Sequence, residues 1–163
     1  MTAAVRQGDP ALLDTDLARR LLAADIPARL AFVAPDGTPR VLPINFLWTG
    51  EEVVMAGFRP SAKTRALRAR PAVALTIDTA GPPPEVLLVR GRAEITEVDG
   101  VVPEYETMMR RGMPADQADA YLGELRRRGT PMERIIVRPE WVGVLDFQTR
   151  FPAAMPDFLT EAP

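Results

Sequence analysis

Histidine and cysteine are both absent from the 163 residues of this sequence. Without cysteine there can be no disulfides and no thiol nucleophile, and without histidine no Ser-His-Asp triad and no haem held by an axial histidine. The two absences together exclude zinc sites built from thiolates or imidazoles. An enzyme of this composition must therefore use carboxylates, hydroxyls and cations, or take its chemistry from a cofactor. We predict no metal site and assign no catalytic side chain.

Long apolar runs and a strong net charge are also missing. The apolar runs, such as residues 86–89, are far too short to cross a bilayer. The net charge of −2 gives no reason to expect nucleic acid as a partner. The first residues lack the basic stretch and long apolar region of an export signal. We therefore expect a cytoplasmic location, with neither nucleic acid nor membrane as a partner.

Helical patterns occur in three places. The first helix is predicted at about residues 15–25. The second is predicted at 62–69, with Ser61 as its N-cap. A helical insert is predicted at about 102–128, with a break near 112–114. The methionines of this insert are interpreted as core or dimer contacts rather than as a ligand surface.

The rest of the chain favours short antiparallel strands joined by tight turns. The predicted strands are runs rich in β-formers, at residues 29–34, 40–48, 53–57, 73–78, 85–98, 134–137 and 141–147. Gly91 interrupts one of them, where we expect a bulge or a close backbone contact. Although seven runs have this pattern, we count about six strands, and we predict a mainly β (α+β) fold in which an antiparallel barrel removes exposed edges by closing. We assign residues 1–150 to one domain and 151–163 to an irregular, proline-rich tail.

One stretch of the sequence has cations and no acids. No acidic residue occurs between Glu52 and Asp78, whereas five cations do: Arg59, Lys63, Arg65, Arg68 and Arg70. A solvated helix face is the simplest interpretation, and cations near a helix C-terminus also complement its dipole.

Arg59 and Lys63 do not fit that interpretation, because they lie near the N-terminal end of the predicted helix. The helix dipole already presents positive potential there, so that cations gathered at this end favour a bound anion. Free backbone N–H groups, with the hydroxyls of Ser61 and Thr64, would complete a phosphate site. The glycine spacing of a P-loop or of a dinucleotide fingerprint is absent.

Four segments together resemble a known family: 36–50 (DGTPRVLPINFLWTG), 53–57 (VVMAG), 61–75 (SAKTRALRARPAVAL) and 89–94 (VRGRAE). In order and spacing they resemble the pyridoxamine 5'-phosphate oxidase-like split barrels that bind FMN or a deazaflavin. The resemblance covers about residues 15–150. It implies a six-stranded antiparallel split β-barrel of Greek-key type, which forms a homodimer and holds its cofactor at the dimer interface.

The resemblance also implies a set of cofactor-binding residues. The strand 41–45 would lie along the isoalloxazine ring, and 56–58 beside the ribityl chain. Lys63, with Arg59 and Thr64, would hold the phosphate, and Trp141 would approach the ring from the partner subunit. The implied residues are Val41, Leu42, Pro43, Ile44, Asn45, Ala56, Gly57, Phe58, Arg59, Lys63, Thr64 and Trp141. For Trp141 a place in the core is the competing interpretation, and for Asn45 a hydrogen bond at a strand end.

Three functions follow from this resemblance. The first is an FMN-dependent oxidoreductase acting on a small molecule, and the second is a reductase that uses the deazaflavin coenzyme factor 420. The third is a non-catalytic flavin-binding protein or interaction dimer. Authentic pyridoxamine phosphate oxidases have a C-terminal Arg-x-His motif, which a chain without histidine cannot contain. The vitamin B6 reaction is therefore not expected.

Overall fold

A computed structural model describes residues 5–156, 158 and 160 of the chain. A short 3-10 helix, Pro10–Asp14, comes before the first α-helix. The α-helices are α1 Asp16–Ala23, α2 Ala62–Ala69, α3 Pro103–Gly112 and α4 Ala115–Arg127. The strands are β1 Ala28–Val33, β2 Pro39–Ile44, β3 Phe46–Trp48, β4 Val53–Phe58, β5 Ala72–Asp78, β6 Val86–Val98 and β7 Met132–Leu145. The fold is therefore a mainly antiparallel sheet with four α-helices, of the α+β class.

The seven strands form one sheet in the order β2-β1-β5-β6-β7-β4-β3. The predicted number of six strands is wrong. The run 40–48 divides at Asn45 into two strands with different neighbours, and the runs 134–137 and 141–147 together form the single strand β7. β2 pairs with β1, and β3 pairs with β4, both antiparallel. Closure of the barrel by strand pairing is also wrong. β2 and β3 end the sheet and do not pair with each other in the described part of the chain, although only Asn45 separates them. The Greek-key connections and the dimer stay predictions.

The longest ladder joins β6 to β7 and contains the predicted irregularity at Gly91. The register shifts between Arg90 and Gly91, and Gly91 lies opposite Pro139. A Cβ at Gly91 would be only 2.3 Å from the carbonyl oxygen of Arg138, so that a side chain does not fit there. The prediction of a bulge or close backbone contact is confirmed. It also explains why the two predicted strands 134–137 and 141–147 are one: Pro139, which has no N–H, lies where the ladder is already irregular.

The helices begin and end close to the predicted positions. Thr15 caps α1 by accepting a hydrogen bond from the Ala18 N–H at 3.3 Å. Ser61 occupies the N-cap position of α2, but its side chain makes no capping hydrogen bond. Between α3 and α4 the chain breaks at Met113 and Pro114. The first turn of α2 is thus left without a side-chain cap, which matters for the site described below.

In the part of the chain that the structure describes, the core consists of two apolar clusters. The larger fills the inside of the sheet beneath α1 and includes Leu21, Leu30 and Met55. The smaller lies under the insert, where Met108, Met109 and Leu122 are buried against Tyr105 and Tyr121 and other apolar side chains. The interpretation of these two methionines as core residues is confirmed.

The ends of the chain are described only in part. Residues 1–4, 157, 159 and 161–163 lie outside the described residues, so that the predicted tail at 151–163 is covered incompletely. Residues 151–156 form no helix or strand. None of the helices in the described residues is long and apolar enough to cross a membrane.

Candidate functional site

Strand β2 presents the predicted ring-binding residues at the end of the sheet. Side chains alternate along a strand, and here Val41, Pro43 and Asn45 are exposed while Leu42 and Ile44 point towards the core. Val41 keeps 68% of its surface exposed, which is unusual for an aliphatic side chain in a sheet. Among the residues that the structure describes, β2 pairs only with β1, so that its other edge is open to hydrogen bonding by a ligand.

A cavity of about 480 Å³ separates β2 from helix α2, and we call it the lysine groove. Its walls include Phe32, Asp36, Arg40, Val41, Leu42, Ala62 and Lys63. The Arg40 guanidinium is held by the Asp36 carboxylate at 3.0 Å. The groove therefore brings the predicted residues Val41 and Leu42 together with Lys63.

Lys63 is the only lysine in the sequence, against nineteen arginines. It is half-buried, and it has no hydrogen bond or ion pair with the described residues. Its ammonium lies against Gly57, where a Cβ would be 3.3 Å from Nζ. Burial lowers the pKa of Lys63 below its usual value, and the charge of Glu133 partly offsets this effect. A half-buried cation without a partner is costly, and an anion in the groove would relieve that cost.

The first turn of α2 adds to the positive potential of the groove. It contains no acidic residue, and Ser61 leaves its N–H groups without a side-chain cap. Thr64, predicted to bind phosphate, is fully buried, and its hydroxyl donates to the Ser61 carbonyl at 3.0 Å. Lys63 and the helix N-terminus are thus available to an anion, whereas the Thr64 hydroxyl is engaged within the helix.

A second cavity, of about 560 Å³, lies on the other side of α2, and we call it the arginine groove. Arg59 lines it and is paired with Glu97 at 2.6 Å and with Asp99 at 3.5 Å. Arg68 is paired there with Glu133 at 2.7 Å. The structure therefore places Arg59 and Thr64 in a different groove from Lys63, and carboxylates already neutralise Arg59.

Glu133 is a residue that sequence reasoning did not select. Its side chain is 2% exposed, and Oε2 has no hydrogen-bond partner among the described residues. It lies on β7 opposite Gly57, which explains how its charge reaches Lys63. The sequence shows only a glutamate at the start of a strand, and nothing in that pattern signals burial.

A third cavity, of about 640 Å³, joins the end of β2 to the helical insert, and we call it the methionine cavity. One wall contains the predicted residues Pro43, Ile44, Asn45 and Ala56. The other wall contains Tyr105, Met108, Met109, Met113 and Tyr121. Sequence reasoning missed this second wall, because the methionines of the insert were interpreted as core or dimer contacts rather than as a ligand surface. They are buried and they also line the cavity.

The aromatic residues of the insert form a connected group. Phe58, which is 44% exposed, meets the ring of Tyr105 edge-on, with 5.9 Å between centroids. The Tyr105 and Tyr121 hydroxyls are 2.7 Å apart and share a hydrogen bond. Burial and this bond raise the pKa of Tyr105 far above its usual value, so that its phenol stays neutral at physiological pH. The predicted residue Phe58 is thereby linked to the methionine cavity.

Trp141 lies apart from the other predicted residues within a single chain. The Arg90 guanidinium stacks on its ring at 3.9 Å, and the backbone of Gly8 and of Gly143 packs against it. In the part of the chain that the structure describes, Trp141 lines neither the lysine groove nor the methionine cavity. An approach to the cofactor from a partner subunit stays a prediction.

Comparison with known proteins finds a family model and solved structures that match this chain. The sequence model of the family described as Pyridoxamine 5'-phosphate oxidase matches residues 15–144. A solved structure of a protein described as an F420 reductase is 31% identical, with a TM-score of 0.59 over 77% of this chain and 94% of that one. A comparison with curated protein sequences finds no match.

Two more distant structures share the fold. General Stress Protein 26 from Bacillus anthracis is 16% identical, with a TM-score of 0.56 over 80% of this chain and 92% of that one. An FAD-binding protein from Mesorhizobium loti is 23% identical, with a TM-score of 0.50 over 77% and 87%. Since the family model spans most of the sequence, this chain belongs to the pyridoxamine 5'-phosphate oxidase family.

Proposed function

We propose that this protein is a flavin-dependent oxidoreductase that binds FMN with the phosphate at Lys63 and the ring along β2. The observation that carries the proposal is the state of Lys63: a half-buried ammonium that makes no hydrogen bond or ion pair with the described residues, beside the uncapped first turn of α2. A phosphate monoester is the anion that fits a lysine and a helix N-terminus together.

The residues around Lys63 also suit a cofactor of this shape. Gly57 has no side chain to fill the space beside the ammonium. The lysine groove and the methionine cavity both include residues of β2, so that a ligand lying along this strand reaches from Lys63 to Asn45. Membership of the family supports the same placement.

A bound flavin supplies hydride transfer, so that the protein needs no nucleophile or acid of its own. Lys63 would hold the phosphate, and the open edge of β2 would offer backbone groups to the ring. The apolar wall of the methionine cavity would keep water away from the ring. Oxidation of pyridoxamine phosphate is not proposed, because the chain has no histidine for the Arg-x-His motif.

The deazaflavin coenzyme factor 420 is the second candidate, supported by the 31% identity to the protein described as an F420 reductase. This coenzyme has an acidic tail that needs more cations than FMN does. Arg65 is exposed on α2, lines the arginine groove and has no ion pair with the described residues. Since the arginine groove lies across α2 from Lys63, a tail that passes over the N-terminal end of α2 from Lys63 would reach Arg65. With either cofactor we expect a homodimer, in which the partner subunit's Trp141 approaches the ring.

Titration of the purified protein with FMN and with factor 420, followed by absorbance, tests this proposal. Lys63→Ala is expected to weaken the preferred cofactor roughly ten- to hundredfold, since a charge-assisted contact contributes about 1.5–3 kcal/mol. Arg65→Ala removes the same charge from the same helix and serves as the matched control. It should leave FMN binding within about threefold of the wild type, but should weaken factor 420.

The outcomes separate the three functions. Tight FMN binding that depends on Lys63 supports the flavoenzyme, and preference for factor 420 supports the deazaflavin reductase. Binding without reduction of any electron acceptor would indicate a non-catalytic flavin-binding protein. If neither cofactor binds, both oxidoreductase proposals are wrong and an interaction dimer remains.

A further inference from the structure

We propose that Glu133 is a positioning residue for Lys63: from the same face of the sheet, its buried carboxylate keeps the half-buried ammonium charged and thus able to bind a phosphate. This role deepens the proposed function and rests on it, because the phosphate is that of the proposed cofactor. The Glu133 side chain is 2% exposed, and its Oε2 atom is buried without a hydrogen-bond partner among the described residues. Such an atom is rare in a folded protein, because a buried acceptor without a donor is costly.

Glu133 belongs to a row of residues that crosses three strands of the sheet. Gly57 of β4 lies opposite Glu133 of β7, and Glu133 in turn lies opposite Glu97 of β6. Residues directly opposite each other project to the same face of a sheet. Since a Cβ at Gly57 would be 3.3 Å from Lys63 Nζ, the ammonium lies on this face too. Neighbouring strands are about 4.8 Å apart, so that Glu133 is one strand away from the ammonium and Glu97 two.

Arg68 binds one oxygen of the Glu133 carboxylate and not the other. Its guanidinium donates to Glu133 Oε1 at 2.7 Å and lies 3.3 Å from Glu97 Oε1. This contact joins helix α2 to β7, and a structural role for Glu133 requires nothing more. The charge of the carboxylate also acts beyond direct contact. Lys63 is on the same face and has no ion pair with the described residues, so that this charge can support it.

The other charged side chains around Lys63 do not take this role. Across the lysine groove, Arg40 is paired with Asp36 at 3.0 Å, and β1 contributes an apolar side chain to the groove. On α2 itself, Arg65 lines the arginine groove instead. Burial lowers the pKa of Lys63, and the charge of Glu133 partly offsets this effect. Among the described residues, Glu133 is therefore the negative charge that supports the ammonium.

Glu133→Gln removes the charge and keeps the shape, and its amide oxygen can still accept a hydrogen bond from Arg68. Because Lys63 is the only lysine, ¹³C labelling of lysine at Cε gives one resonance, whose pH titration yields the Lys63 pKa. In the FMN-free protein, Glu133→Gln is expected to lower this pKa further below 10.5. Glu97→Gln is the matched control. It removes a carboxylate of the same row that is 57% exposed and screened by solvent, and should leave the pKa nearly unchanged.

The pH profile of FMN binding should show the same change. The charged form of Lys63 binds the phosphate, so that affinity falls as the pH rises through the Lys63 pKa of the FMN-free protein. Relative to pH 7, Glu133→Gln should therefore lose more affinity at alkaline pH than the wild type. The extra loss approaches the ratio of the two acid constants of Lys63. Riboflavin, which has the same ring and no phosphate, corrects for ionisation of the ring. A merely structural Glu133 would change FMN affinity by the same factor at every pH.

Arg68→Gln is a second variant, which keeps the inference testable if Glu133→Gln does not fold. It leaves the Glu133 charge without its guanidinium, so that the Lys63 pKa should rise. The rise should exceed that in Arg65→Gln, which removes the same charge from the exposed face of α2. Circular dichroism confirms that each variant is folded.

An unchanged or raised Lys63 pKa in Glu133→Gln would overturn the inference. So would a rise in Arg68→Gln no larger than in Arg65→Gln. If FMN fails to bind while Glu133→Gln lowers the Lys63 pKa, the cofactor proposal is wrong and the support of Lys63 by Glu133 stands.

Discussion

The ammonium of Lys63 packs against the backbone of Gly57, where the missing side chain leaves it room: a Cβ at Gly57 would lie 3.3 Å from Nζ. Gly57 lies near the end of strand β4, and Lys63 lies in the first turn of helix α2. The contact between them therefore joins the sheet to the N-terminus of the helix. The position of the ammonium in the lysine groove thus depends on a glycine in the neighbouring strand.

Gly57→Ala is expected to displace the Lys63 ammonium and to weaken FMN binding by about 1 kcal/mol, part of a charge-assisted contact. Stability should change little, because the atom that must move is the end of a flexible side chain. The measurement is an FMN titration with a parallel urea unfolding curve. Gly123→Ala is the control, since nothing lies within 4 Å of a Cβ there. Unchanged FMN affinity in Gly57→Ala would show that the phosphate is held elsewhere.

The lowered pKa of Lys63 predicts how the stability of the folded chain depends on pH. Burial lowers this pKa below the 10.5 of an unfolded lysine, so that the folded chain holds fewer protons than the unfolded chain between the two values. Stability should therefore rise with pH through that window, and at pH 7 the charged Lys63 destabilises the cofactor-free fold.

Lys63→Met should consequently raise the melting temperature of the cofactor-free protein at pH 7, with a gain that shrinks as the pH approaches 10.5. Thermal unfolding at several pH values measures this. Arg65→Met, on the exposed face of the same helix, should show no such pH dependence. A loss of stability in Lys63→Met at pH 7 would mean that the ammonium already has a stabilising partner.

Gly91 is expected to be indispensable for the β6–β7 ladder. Gly91→Ala would place a Cβ 2.3 Å from the Arg138 carbonyl oxygen, and the backbone would have to move. We expect a loss of about 1–3 kcal/mol in urea unfolding, the range for overpacking. Gly123→Ala should cost nothing or be slightly stabilising, as alanine usually is within a helix. A change of less than about 0.5 kcal/mol at Gly91 would contradict the close contact.

A helix or strand whose ends are set by adjacent residues in the sequence could be predicted from the sequence alone. Helix α2 runs over Ala62–Ala69, as predicted, because Ser61 and Pro71 bound it in the sequence. The division of the run 40–48 at Asn45 could not be predicted, since the two halves differ only in the strands that they pair with. The continuity of β7 through Pro139 likewise depends on its register against β6, in which Glu140 is passed over between the pairs Arg90–Trp141 and Gly91–Pro139.

In the candidate site, too, some residues could be predicted from the sequence and others could not. The charge pattern pointed to Lys63, because an unbalanced cation at a helix start is visible in the sequence. The pairing of Arg59 with Glu97 was not visible, since it joins residues far apart in the chain. The tyrosine pair depends on how α3 packs against α4, and no local pattern specifies that contact.

The most direct test of the central claim uses the fact that Lys63 is the only lysine. Labelling with lysine enriched in ¹³C at Cε gives one resonance, which reports the position and the pKa of this ammonium. Saturation with FMN should shift the resonance and raise the pKa, because a phosphate beside an ammonium favours its charged form. Riboflavin, which has no phosphate, should not raise it. If the resonance and pKa are the same with FMN bound as without it, or respond equally to riboflavin, Lys63 does not hold the phosphate.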